Sequence, residues 1–461
     1  MNNKEVSLYE ERKNIYAERQ YGVFYNIKLF CFIVLISFFY MCPWIYINLK
    51  PIILFDLPNR IFYIFGLVFF PKDLLLLSYL LIISILLLFF ITILYGRIWC
   101  GYLCPQTLWV DLFSRIEYFI EGNKRSRINL DKQKISNINV LFKKISKHVI
   151  WFLISLFTAI TFVGYFIPIK LLILDLITLN FGSWEIMWVS LITLMTYINA
   201  GWLREQVCFY MCPYARFQSS MFDADTINVT YNYIRGELRG KRSRLLKNKP
   251  KDLGDCINCY KCKNVCPTGI DIRDGLQMEC INCGACVDAC NEIMQKMNYP
   301  KNLISYSSSN SIVNNISRVF RPKVFVYIFA LSFMILLFSY FLYNRVLFDV
   351  NIIKDRNILY RELSNGVIEN IYMIKLRNMS DKKKIYSINL YKTSDVLLKN
   401  LTNITVEPYE FANLCIHLEL KKELVTNVIV PIYFKITDFN DTNCFKIEKN
   451  IFINPLKKDS R

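Results

Sequence analysis

Cys256-Ile-Asn-Cys259-Tyr-Lys-Cys262-Lys-Asn-Val-Cys266-Pro267, followed by Cys280-Ile-Asn-Cys283-Gly-Ala-Cys286-Val-Asp-Ala-Cys290-Asn291, is one pattern written twice: C-x-x-C-x-x-C-x-x-x-C. It is the ligand run of a bacterial two-cluster ferredoxin, in which the fourth cysteine of each run binds the other cluster. The spacing therefore assigns Cys256, Cys259, Cys262 and Cys290 to one [4Fe-4S] cluster. Cys280, Cys283, Cys286 and Cys266 fall to the second. Soft anionic thiolates hold iron and spread its charge, and the short gaps let one loop wrap three corners of a cube. Paired zinc sites are the competing reading, since C-x-x-C also binds zinc; the even four-cysteine repeat favours iron and sulfur. Asn291 replaces the proline that closes the first run, which leaves the ligand spacing intact.

Around this segment the chain is too apolar for water alone, with 54% hydrophobic and 15% aromatic residues in 461. Five windows approach the roughly 20 residues that a bilayer crossing needs: Leu29 to Ile47, Leu74 to Leu94, Val149 to Ile167, Ile186 to Trp202 and Val324 to Tyr343. Thr193, Thr196 and Asn199 make the fourth the weakest. Basic residues near span ends stay in the cytoplasm. They gather after the second window (Arg97, Arg115, Lys124, Arg125, Arg127, Lys132, Lys134, Lys143, Lys144, Lys147) and after the fourth (Arg204, Arg216, Arg235, Arg239, Lys241, Arg242, Arg244), while the opposite loops hold only Lys50, Arg60, Lys72 and Lys170. The N-terminus and cluster segment are thus expected in the cytoplasm and the tail outside. The same loops account for the net charge of +19 without nucleic acid. The first twenty residues are polar and no small-residue cleavage site follows the first apolar stretch, so that stretch is expected to stay as an anchor.

A second constellation lies after spans two and four: Cys100-Gly-Tyr-Leu-Cys104-Pro105 and Cys208-Phe-Tyr-Met-Cys212-Pro213. On a helix the cysteines of C-x-x-x-C share a face, and the proline disfavours helix at the residue before it. Four thiolates from two span ends would suit Cu(I), zinc or an iron-sulfur centre, with Met211 as an added thioether; a redox dithiol and plain buried cysteines are the alternatives. The only histidines, His148 and His417, fall on opposite sides in this topology, so no bis-histidine haem can be built. There is no glycine-rich nucleotide loop, so electrons have to come from a protein, a quinol or a thiol.

From about Asn344 the pattern becomes short strands, among them Ile368 to Leu376, Lys384 to Tyr391 and Val428 to Ile436, with turns at Ser364-Asn365-Gly366 and Asn440-Asp441. This predicts a β-sandwich, immunoglobulin-like in size, that docks a partner or shields a site. Cys415 and Cys444 are candidates for a bridge across its core, Cys31 and Cys42 read as small buried residues of the first span, and Asn378-Met-Ser and Asn403-Ile-Thr match the glycosylation pattern. The expected fold class is a membrane protein of about five transmembrane helices, an inserted cytoplasmic 2[4Fe-4S] ferredoxin domain and a C-terminal extracytoplasmic β-sandwich. The expected divisions are a cytoplasmic segment 1–28, four helices in 29–222, the ferredoxin domain in 223–322, a fifth helix 323–343 and the β domain 344–461.

Together, Phe55-Asp-Leu-Pro-Asn-Arg60, Phe65-Gly66, the two C-x-x-x-C-P motifs with Gln106 and Arg204-Glu-Gln before and Tyr214-Ala-Arg-Phe-Gln218 after, and Thr268 through Cys280 resemble the FixG/CcoG family of bacterial cytochrome c oxidase accessory proteins. The resemblance covers nearly the whole chain, with departures at Leu238, where the family tends to have proline, and at Lys301-Asn-Leu-Ile-Ser. It implies an inner-membrane protein that assists assembly of a cbb3-type oxidase by reducing Cu(II) to Cu(I), a cupric reductase with copper at Cys100, Cys104, Cys208 and Cys212 or some of them. Its partners would be oxidase assembly factors or copper-transporting proteins, an unidentified electron donor and, as an option, a second copy of the chain. Membrane ferredoxins that oxidise quinol for a periplasmic reductase share the C-x-x-x-C-P pairs and two clusters. A non-catalytic copper chaperone or scaffold is the third reading.

Overall fold

The computed structural model describes residues 15–47, 50–133, 137–178, 180, 182–242, 252–314, 318–355, 358–363, 366–391, 396–398, 403–421, 428–439, 441 and 444–455. Among them are five helices long and apolar enough to cross a membrane: Val23–Trp44, Pro71–Tyr95, Ile138–Val163, Ser183–Leu203 and Pro322–Tyr343. The third begins well before its apolar window at Val149 because the helix continues, amphipathically, through Lys143, Lys144 and Lys147. Lys147 reaches the buried Glu121 at 2.7 Å.

The chain forms two compact units, one from residues up to Leu67 with Ser78–Leu336, the other from Val68–Leu77 with the chain from Leu337 onward. In the first, the elements that matter for the site are α1 (Val23–Met41), α2 (Leu74–Tyr95), α3 (Ile98–Tyr102), α4 (Pro105–Glu121), α5 (Ile138–Val163), α6 (Ser183–Thr196), α7 (Pro213–Met221) and α8 (Ala285–Lys296). Trp151 of α5 stacks on Phe113 of α4 with ring centroids 5.2 Å apart, and Ala200 closes this buried knot. The cluster segment is closed at its ends by an antiparallel pair, β1 (Asn228–Tyr231) and β2 (Ile304–Ser307). Its cysteines surround a small core of Val229, Ile272, Val287, Met294 and Leu303.

The second unit contains β3 (Phe348–Lys354), β4 (Arg361–Glu362), β5 (Val367–Asn378), β6 (Lys384–Tyr391), β7 (Leu397–Leu398), β8 (Asn403–Val406), β9 (Phe411–Lys421), β10 (Ile429–Asp438) and β11 (Phe445–Ile453). One sheet runs β7-β9-β5-β3 with β4 on β5, the other β8-β6-β10-β11. Alternate residues point inward, so Tyr372, Ile374, Ile416, Leu418 and Ile432, Phe434, Tyr386, Phe452 form one buried layer, as a sandwich requires. The sequence-predicted turn residues Ser364, Asn365 and Asn440 lie outside the described residues, as do Lys134 and Arg244.

Two points that the sequence leaves open are answered in this unit. Cys415 and Cys444 are both free: Cys415 is exposed on β9, while Cys444 precedes β11 in the other sheet and packs on the core. Asn378 is fully buried. Its side-chain oxygen accepts from the Ser380 N–H at 3.0 Å and its amide donates to the carbonyls of Lys382 and Val406 at 2.8 and 3.1 Å, so Asn378-Met-Ser is a turn lock rather than a sugar acceptor.

Candidate redox site

Within the first unit the ferredoxin cysteines fall into two groups. One small cavity is lined by Cys256, Cys259, Cys262 and Cys290, the other by Cys266, Cys280, Cys283 and Cys286 with Cys262 at its edge. Ile293, Met294 and Leu303 give the first an apolar wall, with Lys261 and Arg273 also lining it, and Val229, Ile270 and Ile272 line the second with Thr268. Four thiols around a small pocket is the donor set that a [4Fe-4S] cube takes. Left-handed turns at Asn258, Tyr260, Asn282 and Gly284 wrap the loops around these cavities. Asn adopts that conformation more readily than most residues.

The two C-x-x-x-C-P motifs share one backbone device. The N–H of Cys104 donates to the carbonyl of Trp99, and that of Cys212 to the carbonyl of Val207, at 2.9 and 2.8 Å. Each bond spans five residues; Val207–Met211 is a π turn, a form that helices often take at functional sites, while Ile98–Tyr102 stays α-helical and its Trp99 carbonyl also accepts from the Leu103 N–H at 2.9 Å. Cys104 and Cys212 then extend (ψ 127° and 112°), and Pro105 and Pro213 start α4 and α7. The expectation of two sulfurs on one helix face is thus replaced by one sulfur on the first helical piece, Cys100 on α3 and Cys208 on the π turn, and one at the cap of the following helix. The Gln106 amide donates to Asn199 and Arg204 carbonyls at 3.0 and 3.1 Å, which ties the first motif to the approach of the second.

All four thiols are half-buried and close enough to feel one another. Burial, then charge on Cys104, pushes Cys100 up to about 12; Arg97 opposes, and Cys208 and Cys212 add. Burial with charge on Cys104 and Cys212 lifts Cys208 to about 11. Among the described residues, no three His, Cys, Asp or Glu side chains are yet placed around a single-ion position. The four sulfurs therefore form a loose group. Met211 is largely exposed and lines an open groove with Cys212. His148 bonds the Tyr197 hydroxyl at 2.7 Å, and Cys31 and Cys42 are also free thiols.

Sequence reading gave the sulfurs but missed what joins them. Gly101, inside the first motif, lies against the second cluster loop. A Cβ there would stand 2.6 Å from the Ile281 carbonyl oxygen and 3.2 Å from Cys283 Cα. Tyr102 donates to the Cys283 carbonyl at 3.2 Å. Asn282, between two cluster cysteines, donates to the Tyr95 carbonyl at the end of α2 and to Asn228 at 3.2 and 2.9 Å, while accepting from the Val229 N–H at 3.2 Å. The buried Arg97 guanidinium donates to the carbonyls of Met278 in the cluster segment and Ala215 in α7. Asp288 of α8 accepts from the N–H groups of Phe24 and Tyr25 at 3.3 and 2.9 Å, capping α1. Below them Glu117 is buried between Arg127 and Arg204. A cavity of about 180 Å³ runs along this junction, with Cys208 and Cys283 in its wall beside Tyr25, Lys28, Asp111 and Arg115.

Comparison with known proteins matches three family models: a 4Fe-4S dicluster domain over residues 203–309, a 4Fe-4S binding domain over 77–127 and the IG-like fold at the C-terminus of FixG over 338–455. The chain is 34% identical over 422 residues to the nitrogen fixation protein FixG of Rhizobium meliloti (strain 1021), covering 83% of this chain and 80% of that one. It is 38% identical over 408 residues to protein RdxB of Cereibacter sphaeroides, covering 85% of each. The ferredoxin-type protein NapH of Haemophilus influenzae is 23% identical over 45% of this chain and 64% of its own. A crystal structure of a FixG-related protein from Vibrio parahaemolyticus is 27% identical over 24% of this chain and 98% of its own, with a TM-score of 0.22.

Proposed function

This chain belongs to the FixG family, an iron-sulfur redox protein with five apolar helices, and on that premise we propose that it reduces Cu(II) to Cu(I) for assembly of a cbb3-type oxidase. The observation that carries the reading is the seat of Gly101 on the Ile281–Cys283 backbone, which brings a four-thiol group against a cluster loop. When bound, [4Fe-4S] clusters supply electrons one at a time. Cys256, Cys259, Cys262 and Cys290 would hold one, and Cys280, Cys283, Cys286 and Cys266 the other, the grouping that the two cavities support.

The chain's own part follows from thiol chemistry. Copper is the substrate: Cu(II) gains one electron, and thiolates among Cys100, Cys104, Cys208 and Cys212 favour the soft Cu(I) product over Cu(II). Burial weakens the acidity of the Cys100 and Cys208 thiols, so these two hold their protons while the site is empty and release them as the metal arrives. A loose sulfur group suits a transient cargo, since a closed cage would retain it. No acid or base residue is needed. The basic loops support a cytoplasmic cluster segment and an outer β domain in a bacterial inner membrane.

Quinol oxidation is the second reading, favoured by the cavity that has both Cys208 and Cys283 in its wall. The test is anaerobic mixing of the reduced, cluster-loaded protein with Cu(II), reading cluster oxidation optically and Cu(I) with a chelator, beside a variant with Cys100, Cys104, Cys208 and Cys212 changed to serine. Fast oxidation matched by Cu(I), and lost in the variant with its clusters intact, is expected. Clusters inert to Cu(II) but reduced by a short-chain quinol would transfer the assignment to quinol chemistry.

A further inference from the structure

The outward face of the sheet β7-β9-β5-β3 carries a set of side chains that packing does not require. Inward positions on β5 and β9 are the buried Tyr372, Ile374, Ile416 and Leu418. Between them, facing out, stand Met373, Cys415 and His417. The register places Met373 directly opposite Cys415, and His417 opposite Ile371. Directly opposed residues of an antiparallel pair have Cβ atoms about 4.5–5.5 Å apart, and diagonal ones about 7–8 Å, within reach of long side chains. A thioether, a thiol and an imidazole are therefore within reach of one point.

We propose that Met373, Cys415 and His417 form a surface Cu(I) site on the β domain. Three features of the face fit that chemistry. Sulfur donors select Cu(I), and the zinc ligand set of cysteine, histidine and carboxylate has no use for a methionine. His417 Nδ1 lies 2.9 Å from Glu369 Oε1, and Glu369 is only 8% exposed although it belongs to the outward face. A carboxylate on one ring nitrogen fixes the ring and presents the other, which is how metal-binding histidines are held. With Nδ1–H donating to Glu369, Nε2 offers its lone pair to the metal. Ile353 lies beside Met373 in register and Ile371 opposite His417, giving the site an apolar surround. On binding, the Cys415 thiol releases its proton to solvent and the metal keeps its oxidation state. Met373 and Cys415 are both exposed, so the metal can arrive from outside the fold.

The inference does not rest on copper reduction at the membrane motifs, and the test keeps the two apart. The full chain in detergent, carrying serine at Cys100, Cys104, Cys208 and Cys212, is titrated with Cu(I) against a chromogenic chelator under argon. One equivalent of Cu(I) is expected to remain, with ultraviolet thiolate-to-copper absorption. Adding C415S or H417Q removes both signals, and E369Q weakens binding about 10- to 100-fold, the usual effect of losing an outer-shell partner. Circular dichroism and iron content serve as folding controls. No retained equivalent, or an equivalent indifferent to C415S and H417Q in a folded protein, overturns the proposal.

Discussion

Gly101→Ala is the smallest change that tests whether the thiol group and the cluster loop work as one device. The added Cβ would stand 2.6 Å from the Ile281 carbonyl oxygen, where ordinary contact begins at 3.4 Å, so about 0.8 Å has to be found. The oxygen cannot yield alone. Its neighbour Asn282 is held at the Tyr95 carbonyl and Asn228, and the Asn282 carbonyl accepts from the Tyr306 hydroxyl at 2.5 Å. Overpacking of this kind costs about 1–3 kcal/mol, too little to unfold a protein of ordinary stability. The motif and the loop are instead expected to part, lengthening the route between Cys283 and Cys100. The assay is rapid anaerobic mixing of the reduced protein with Cu(II), with iron content and cluster absorption measured in the same samples. Slower cluster oxidation at unchanged iron content is expected. Gly182→Ala is the control, because its Cβ meets nothing closer than 3.7 Å. An unchanged oxidation rate in a fully loaded Gly101→Ala protein would refute the argument that this contact couples the two sites.

Arg97→Gln removes charged donors from the Met278 and Ala215 carbonyls; at about 1–3 kcal/mol for each buried group left without a partner, the detergent melting temperature should fall clearly, read by scanning fluorimetry. Asp288→Ala leaves the Phe24 and Tyr25 N–H groups uncapped, a loss of about 0.5–2 kcal/mol that should appear as faster proteolysis before Val23, with Asp288→Asn intermediate. Glu117→Gln removes the buried carboxylate between Arg127 and Arg204, leaving Arg127 to Glu121 and Arg204 to the Gly201 carbonyl; breaking buried pairs costs up to about 3–5 kcal/mol, so membrane yield should drop on immunoblots. Cys415 should react with a membrane-impermeant maleimide in intact spheroplasts and Cys415→Ser should lose the label; labelling only after lysis would reverse the proposed orientation.

Sulfur chemistry and hydropathy were legible because both are local. Ligand spacing repeats within a few residues, and a span must be apolar along its own length, so Cys256 through Cys290 and the five helices could be read directly. The β-sandwich was legible for the same reason, from alternation along Val367–Asn378 and its neighbours. What the chain hid is tertiary. Arg97 reads as one more basic residue of an inner loop, and nothing local marks Gly101 or Asp288, until the fold brings each to a backbone group far away in sequence. The π turn at Val207–Met211 was hidden for a different reason: spacing of cysteines reports which residues are near, while the backbone bond from Cys212 to Val207 is not written in that spacing. Asn378-Met-Ser matches a modification pattern that is common by chance, and the same side chain here locks a buried Asx turn.

Asn282 shows why ligand counting alone underdescribes this site. It lies between Cys280 and Cys283, where the loop needs a left-handed residue, and asparagine suits that backbone (φ 52°). Glycine would serve the backbone equally well, yet it would leave the Tyr95 and Asn228 acceptors and the Val229 donor without their partner. Aspartate would keep the acceptor for Val229 but set an anionic oxygen against the Tyr95 carbonyl and beside cluster thiolates. The carboxamide supplies two N–H donors and an acceptor in one neutral group, enough for all three partners. The residue that shapes the cluster loop is therefore also the one that fastens it to the end of α2, a few residues before Cys100. One side chain thus serves both the cluster loop and its attachment to α2, beside the contacts made by Gly101, Tyr102 and Arg97. That coupling is what a two-cluster segment inserted among membrane helices needs and what the same eight cysteines in a free-standing ferredoxin would lack.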